Sequence, residues 1–137
     1  MTTWPVLASL SSVEQEELFN AGRRRSFAKG EVLFHHGDPA DSLHLIVSGR
    51  VAIRVLTPQG EQAILNVLGP GSVCGELALI DTNAHRTATV TALEPCETIV
   101  LRRRQFEKLR ALQPLRLFEI AVRTFRGWRD PRRRRQD

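Results

Sequence analysis

The chain has 137 residues, 42% of them apolar and 26% charged, with a formal net charge of +5. That length supports one hydrophobic core but no second folded domain, and the balance is that of a globular chain rather than a disordered or membrane-embedded one. The charge excess is local: residues 129–137 hold five arginines and two aspartates, net +3, which leaves +2 for residues 1–128. The expected organisation is one domain over residues 1–128 and a basic tail over 129–137, solvated and disordered, with an acidic partner or RNA as the other use of its four consecutive arginines, 132–135.

The opening residues, MTTWPVLASLSS, carry neither a basic leader nor a continuous apolar stretch, so the expected location is cytoplasmic. No apolar run approaches the roughly 20 residues of a membrane helix, and no span is expected. Ser11 and Ser12, each followed three residues later by Glu14 or Gln15, form overlapping capping boxes that predict a short N-terminal helix reaching Leu18 and Phe19. From Arg23 to about Leu101 the chain is punctuated by Gly30, Gly37, Asp38-Pro39, Ser48-Gly49, Pro58-Gln59-Gly60 and Gly69-Pro70-Gly71. Between these turns, residues 42–47, 51–56, 61–68, 86–92 and 98–101 read as strands, several with period-2 alternation. Cys74 and Cys96 sit in separate apolar contexts and are expected as buried free thiols. After Arg103 the period returns to helical, with Phe106, Leu109 and Leu112 on one stripe. Pro114 then opens a second helix carrying Phe118, Val122 and Phe125, and Pro131 stops it. The fold class is therefore α+β: an antiparallel β-roll of the jelly-roll, cupin-like double-stranded β-helix type, with one short helix before it and two after it.

One segment departs from strand patterning. Gly75-Glu76-Leu77-Ala78-Leu79-Ile80 is followed by a polar loop and then Arg86-Thr87-Ala88-Thr89-Val90. A short helix beginning near Gly75 would present free backbone N–H groups, an arrangement that suits an anion. Arg86, returning at the start of the next strand, would add a planar cationic fork matched to phosphate. Taken alone, Arg86 fits a turn cap and Glu76 a surface ion pair; the two together, ten residues apart in this pattern, point to a ligand.

GELALIDTNAHRTATV resembles the phosphate-binding cassette of the cyclic nucleotide-binding domains found in the catabolite activator protein, cyclic-nucleotide-dependent kinases and cyclic-nucleotide-gated channels. The upstream FAKGEVLFHHGDPADSLHLIVSGRVAIRV is similar to the same family, with Gly30-Glu31, Gly37-Asp38 and Ser48-Gly49 in place. The resemblance covers residues from about 7 to about 125. It implies that Arg86 pairs with the cyclic phosphate, Glu76 accepts from the ribose 2′-hydroxyl, and the N–H groups of Gly75, Leu77 and Ala78 close around the phosphate. Thr87 occupies a position whose hydroxyl contacts the phosphate or a syn guanine. It suits cGMP, but bacterial cAMP binders also carry a hydroxyl there, and the base preference stays open. An apolar or aromatic residue from the C-terminal helices covers the base in this family; Trp128 is the first choice here and Phe125 the second. Cys74 stands where an aromatic residue is common, which implies a looser cassette.

The ligand expected is cAMP or cGMP, with no metal. His35-His36, His44 and His85 suggest a cupin-type metal site only weakly, because adjacent histidines in a strand face opposite ways. No nucleophile elbow, catalytic carboxylate pair or phosphate-binding P-loop is present, so no enzymatic activity is expected. The expected function is that of a stand-alone sensor whose C-terminal helices relay occupancy to an effector protein. Direct DNA binding is not expected, because no helix-turn-helix follows. The alternatives are an interaction module that keeps the fold without binding ligand, and a transcription regulator lacking its helix-turn-helix.

Overall fold

The structure is a computed structural model, and it describes residues 4–8, 10–75 and 83–105. A single 3-10 turn, Pro5–Leu7, precedes α1, Ser12–Ala21. Ser11 is the N-cap: its hydroxyl accepts from the Glu14 N–H while the Glu14 carboxylate accepts from the Ser11 N–H. The first of the two overlapping boxes is thus the one in use. Among the described residues eight strands follow: β1 Arg23–Phe27, β2 Val32–Phe34, β3 Ser42–Ser48, β4 Val51–Leu56, β5 Gln62–Leu68, β6 Val73–Cys74, β7 Thr89–Ala92 and β8 Cys96–Arg102. They form two four-stranded antiparallel sheets, ordered β1-β8-β3-β6 and β2-β7-β4-β5.

Alternation along β3 places its side chains on two faces. Leu43 and Leu45 join Ile99 and Leu101 of β8 on the outer face of the first sheet, where Trp4, Leu7, Leu10 and Leu18 cover them. Ile46 points the other way, into a second cluster with Phe27, Val51, Ile53, Val90 and Cys96, which fills the space between the sheets. Leu43, Leu45, Ile46 and Leu101 are essentially inaccessible to solvent, and each such aliphatic side chain contributes about 1.5–3 kcal/mol by leaving water. The N-terminal segment is tied down by Gln15, whose amide nitrogen donates to the Leu7 and Leu10 carbonyls.

The roll and the N-terminal helix are as expected, with corrections of extent. β1, β2 and β6 are additional to the expected strands, and β8 is longer than residues 98–101. The strand expected at 86–92 begins only at Thr89, because Arg86 is claimed by another partner: its N–H donates to the Asp38 carbonyl and its carbonyl accepts from the Gly37 N–H. His35 and His36 lie in the turn after β2 rather than in a strand. Cys74 and Cys96 are both buried free thiols. Residues 103–105 are helical; the two expected C-terminal helices and the basic tail otherwise lie outside the described residues. Among the described residues, no helix is long and apolar enough to cross a membrane.

Candidate functional site

Among the described residues, Arg86 is the one charged side chain that is buried, with 4% of its side chain exposed. Its backbone is fixed by the loop after β2. Besides the reciprocal bonds to Gly37 and Asp38, the Ala40 N–H donates to the Ala84 carbonyl, and Pro39 bridges to His85. That loop is itself a tight turn in which the Asp38 carboxylate accepts from the His35 N–H. The sequence GDPAD thus builds a ledge, and Arg86 hangs from it toward the space between the sheets.

Among the described residues, these groups lie against the guanidinium. Its Nη2 donates to the Ser42 hydroxyl at 3.0 Å. Its Cζ lies 4.0 Å from the centre of the Phe34 ring. The Asp41 carboxylate is 3.8 Å away but 62% exposed, so water screens much of that attraction. Gly75, directly after β6, offers its carbonyl to Nη1 at a long 3.5 Å.

Gly75 has φ of +86°, and a Cβ built there would stand 2.7 Å from Arg86 Nη1 and 2.9 Å from the Ser42 carbonyl. Glycine is required twice over: for the left-handed backbone and for the close approach of the guanidinium. Two of the residues singled out in the sequence, Gly75 and Arg86, are therefore brought together. Thr87 is exposed beside them. Glu76, Leu77 and Ala78, and the lid candidates Phe125 and Trp128, lie outside the described residues.

The interior next to Arg86 is polar and positively biased. His44, on the inner face of β3, is buried, and its Nδ1 meets the Thr98 hydroxyl at 3.0 Å. Burial pushes its pKa down to about 3, with the nearby Arg86 and Arg25 guanidiniums acting in the same direction. The imidazole is therefore neutral at physiological pH. A permanent cation in a place that excludes water suits a single negative charge with two oxygens to share. It offers nothing to a cationic or purely apolar ligand. Among the described residues, no three His, Cys, Asp or Glu side chains gather as a metal-holding group.

Ser42, Asp41 and Phe34 were not identified from the sequence as belonging to this site. The Asp41-Ser42 pair closing the turn before β3 was the available signal, since a carboxylate and a hydroxyl at a strand entrance are placed to meet a cation. Phe34 carried no such signal; it read as an ordinary core aromatic.

An antiparallel roll with a buried arginine packed on a left-handed glycine is a binding-domain architecture rather than that of a bare structural scaffold. Comparison makes the class specific. The profile of the cyclic nucleotide-binding domain family matches residues 24–126, and the chain belongs to that family. It is 30% identical to the cyclic AMP receptor protein of Thermus thermophilus over 86% of this chain and 54% of that one. Among solved structures, the regulatory domain of Toxoplasma gondii PKA with cAMP superposes with a TM-score of 0.70 at 31% identity, covering 76% of this chain and 39% of that one. The regulatory subunit of a cAMP-independent protein kinase A from Trypanosoma brucei superposes with a TM-score of 0.76 at 25% identity, covering 96% and 47%. The chain thus spans about half the length, or less, of these relatives.

Proposed function

We propose that this chain is a receptor module for a cyclic mononucleotide, cAMP or cGMP, and that it senses rather than transforms its ligand. The observation that carries the reading is the buried Arg86 guanidinium, held on Ser42 and Phe34 and packed against a glycine that tolerates no side chain. In this reading Arg86 pairs with the phosphodiester and Glu76 accepts from the ribose 2′-hydroxyl. The N–H groups of Gly75, Leu77 and Ala78 complete the phosphate cradle, Thr87 contacts the phosphate or the base, and Trp128 or Phe125 covers the base. The chain after β8 relays occupancy to an effector protein, which requires the ligand to bind its two arrangements with different affinity.

Calorimetric titration with cAMP, cGMP and a cyclic dinucleotide tests this. One of the two mononucleotides is expected to bind, and Arg86→Ala is expected to cost about 2–5 kcal/mol by leaving a buried phosphate poorly paired, roughly 30-fold to several thousand-fold in affinity. Equal affinities in wild type and variant would sink the role given to Arg86. The Trypanosoma neighbour, the regulatory subunit of a cAMP-independent protein kinase A, favours one further reading, an interaction module with the same fold that binds no cyclic nucleotide. That reading takes first place if millimolar cAMP and cGMP leave the melting temperature unmoved.

A further inference from the structure

A row of aromatic rings, tilted against one another, runs from the buried Arg86 to the exposed Arg25. Arg86 Cζ stands 4.0 Å from the Phe34 ring centre, and the Phe34 and His44 rings are 5.8 Å apart. The His44 and Phe27 rings follow at 6.0 Å, and Arg25 Cζ lies 4.9 Å over Phe27. Cations occupy both ends, and the three rings lie between them.

The Arg86 end is where this matters. The hydrogen bond from Nη2 to the Ser42 hydroxyl, the long contact of Nη1 with the Gly75 carbonyl and the screened Asp41 carboxylate hold the guanidinium at its edge; none of these three contacts bears on its face, so each leaves some swing out of the plane. A ring in close contact removes the swing, because the negative π-face attracts the cation, and the attraction strengthens where water is excluded. The Arg86 side chain is 4% exposed, so water is largely excluded. Phe34 is backed in turn by His44, which the Thr98 hydroxyl holds in place. Phe34 sits at the end of β2, so the stack also ties the guanidinium to the second sheet, whereas Ser42 ties it to the first.

We propose that Phe34 is a positioning residue for ligand recognition: it holds the Arg86 guanidinium in the plane that presents its fork to the phosphate, and it acts through Arg86 rather than by touching the ligand. This rests on the reading of Arg86 as the phosphate-pairing residue. With an aliphatic side chain at position 34 the guanidinium would sample several orientations, and each binding event would have to order it again.

The full chain with Phe34→Leu or Phe34→Tyr would be titrated calorimetrically with cAMP and cGMP. The Arg86 Nε–H resonance, assigned by its loss in Arg86→Lys, would be followed by NMR. Phe34→Leu is expected to weaken binding of the preferred nucleotide about 3- to 10-fold and to move the Nε–H signal downfield as the ring-current shielding disappears. Phe34→Tyr, which keeps the ring face, is expected to restore both. Loss of the ring-current shift reports only that the ring has gone, so the readout that separates positioning from packing is the line width and solvent exchange of the Arg86 Nε–H: both are expected to rise in Phe34→Leu, where the guanidinium samples more orientations, and to stay at the wild-type values in Phe34→Tyr. If wild type binds and Phe34→Leu binds equally well, or the Arg86 signal keeps its wild-type line width and solvent exchange, the positioning role is overturned and the receptor reading stands. A wild type that binds neither nucleotide overturns the receptor reading first, and the recognition role with it.

Discussion

His44 is the residue whose chemistry is most altered by the fold. Free imidazole titrates near pH 6.5, but burial, with the Arg86 and Arg25 charges beside it, lowers the value to about 3. The folded state therefore binds no proton at this site between about pH 3 and 6.5, whereas the unfolded chain does. Stability from this group is fully present above the unfolded pKa and is lost as pH falls through that window. Between pH 7 and pH 5 the loss is about 2 kcal/mol. Urea unfolding at the two pH values is expected to show that difference in wild type, and a loss smaller by about that amount in His44→Phe, which keeps a ring against Phe27 and Phe34. The same residue shows what a sequence conceals. His44 reads as a polar interruption in an apolar run, and as a weak candidate ligand beside His35 and His36. Only the fold reveals that it points inward, bonded to a threonine 54 residues away. Arg86 and Gly75 were legible because each is anomalous where it stands, a charge and a glycine beside strand-like runs. Ser42 and Phe34 are ordinary residues in ordinary strands, and only folding brings them against Arg86.

At the level of elements, legibility followed how much local signal each segment carries. β3 and β4 alternate or run apolar between clear turns, and they stand almost where the pattern puts them. β1 does not: RRRSF has four exposed residues and a single buried one, Phe27, and three consecutive arginines erase the alternation. As the outer strand of its sheet, it is free to carry those charges, and they discourage further strand addition. β2 and β6 have three and two residues, too few for any periodicity, and exist because a neighbouring strand pairs with them. α1 is the opposite case, an element written into its own cap. Ser11→Ala removes the hydroxyl that receives the Glu14 N–H, a change that costs about 0.5–2 kcal/mol in general. Here Ser12 and Gln15 repeat the pattern one residue on, so the cap can slip and the loss is expected at the low end, near 0.5 kcal/mol. Replacing Ser11 and Ser12 together by alanine is expected to reach about 1–2 kcal/mol, since no hydroxyl remains to start the helix that seats Leu18 on the first sheet. Equal losses in the single and double variants, read from urea midpoints, would refute the slip.

For the whole molecule, the site lies where the two sheets and the chain's later segment meet. Arg86 touches Ser42 of the first sheet and Phe34 of the second, and its backbone is paired with the loop between β2 and β3. The same loop accepts Arg103 Nη2 at the Ala40 carbonyl, 3.2 Å away, and Gln105 ties residues 103–105 to the end of α1 through the Ala21 carbonyl. An anion bound at Arg86 therefore acts on a junction rather than on a surface, and should stabilise the domain as a unit. Ligand at 100 times its dissociation constant adds about 2.7 kcal/mol when it binds only the folded state. For a domain of this size that corresponds to a rise of roughly 10 °C in melting temperature. The Arg86→Ala variant, at the same ligand concentration, is expected to show little or none of it. Because the stabilisation passes through the junction, hydrogen exchange with ligand present is expected to slow most at the amides that join the loop to the Arg86 segment, those of Gly37, Ala40 and Arg86. A ligand-induced rise in melting temperature that left those three amides exchanging at their original rates would place the ligand elsewhere on the roll.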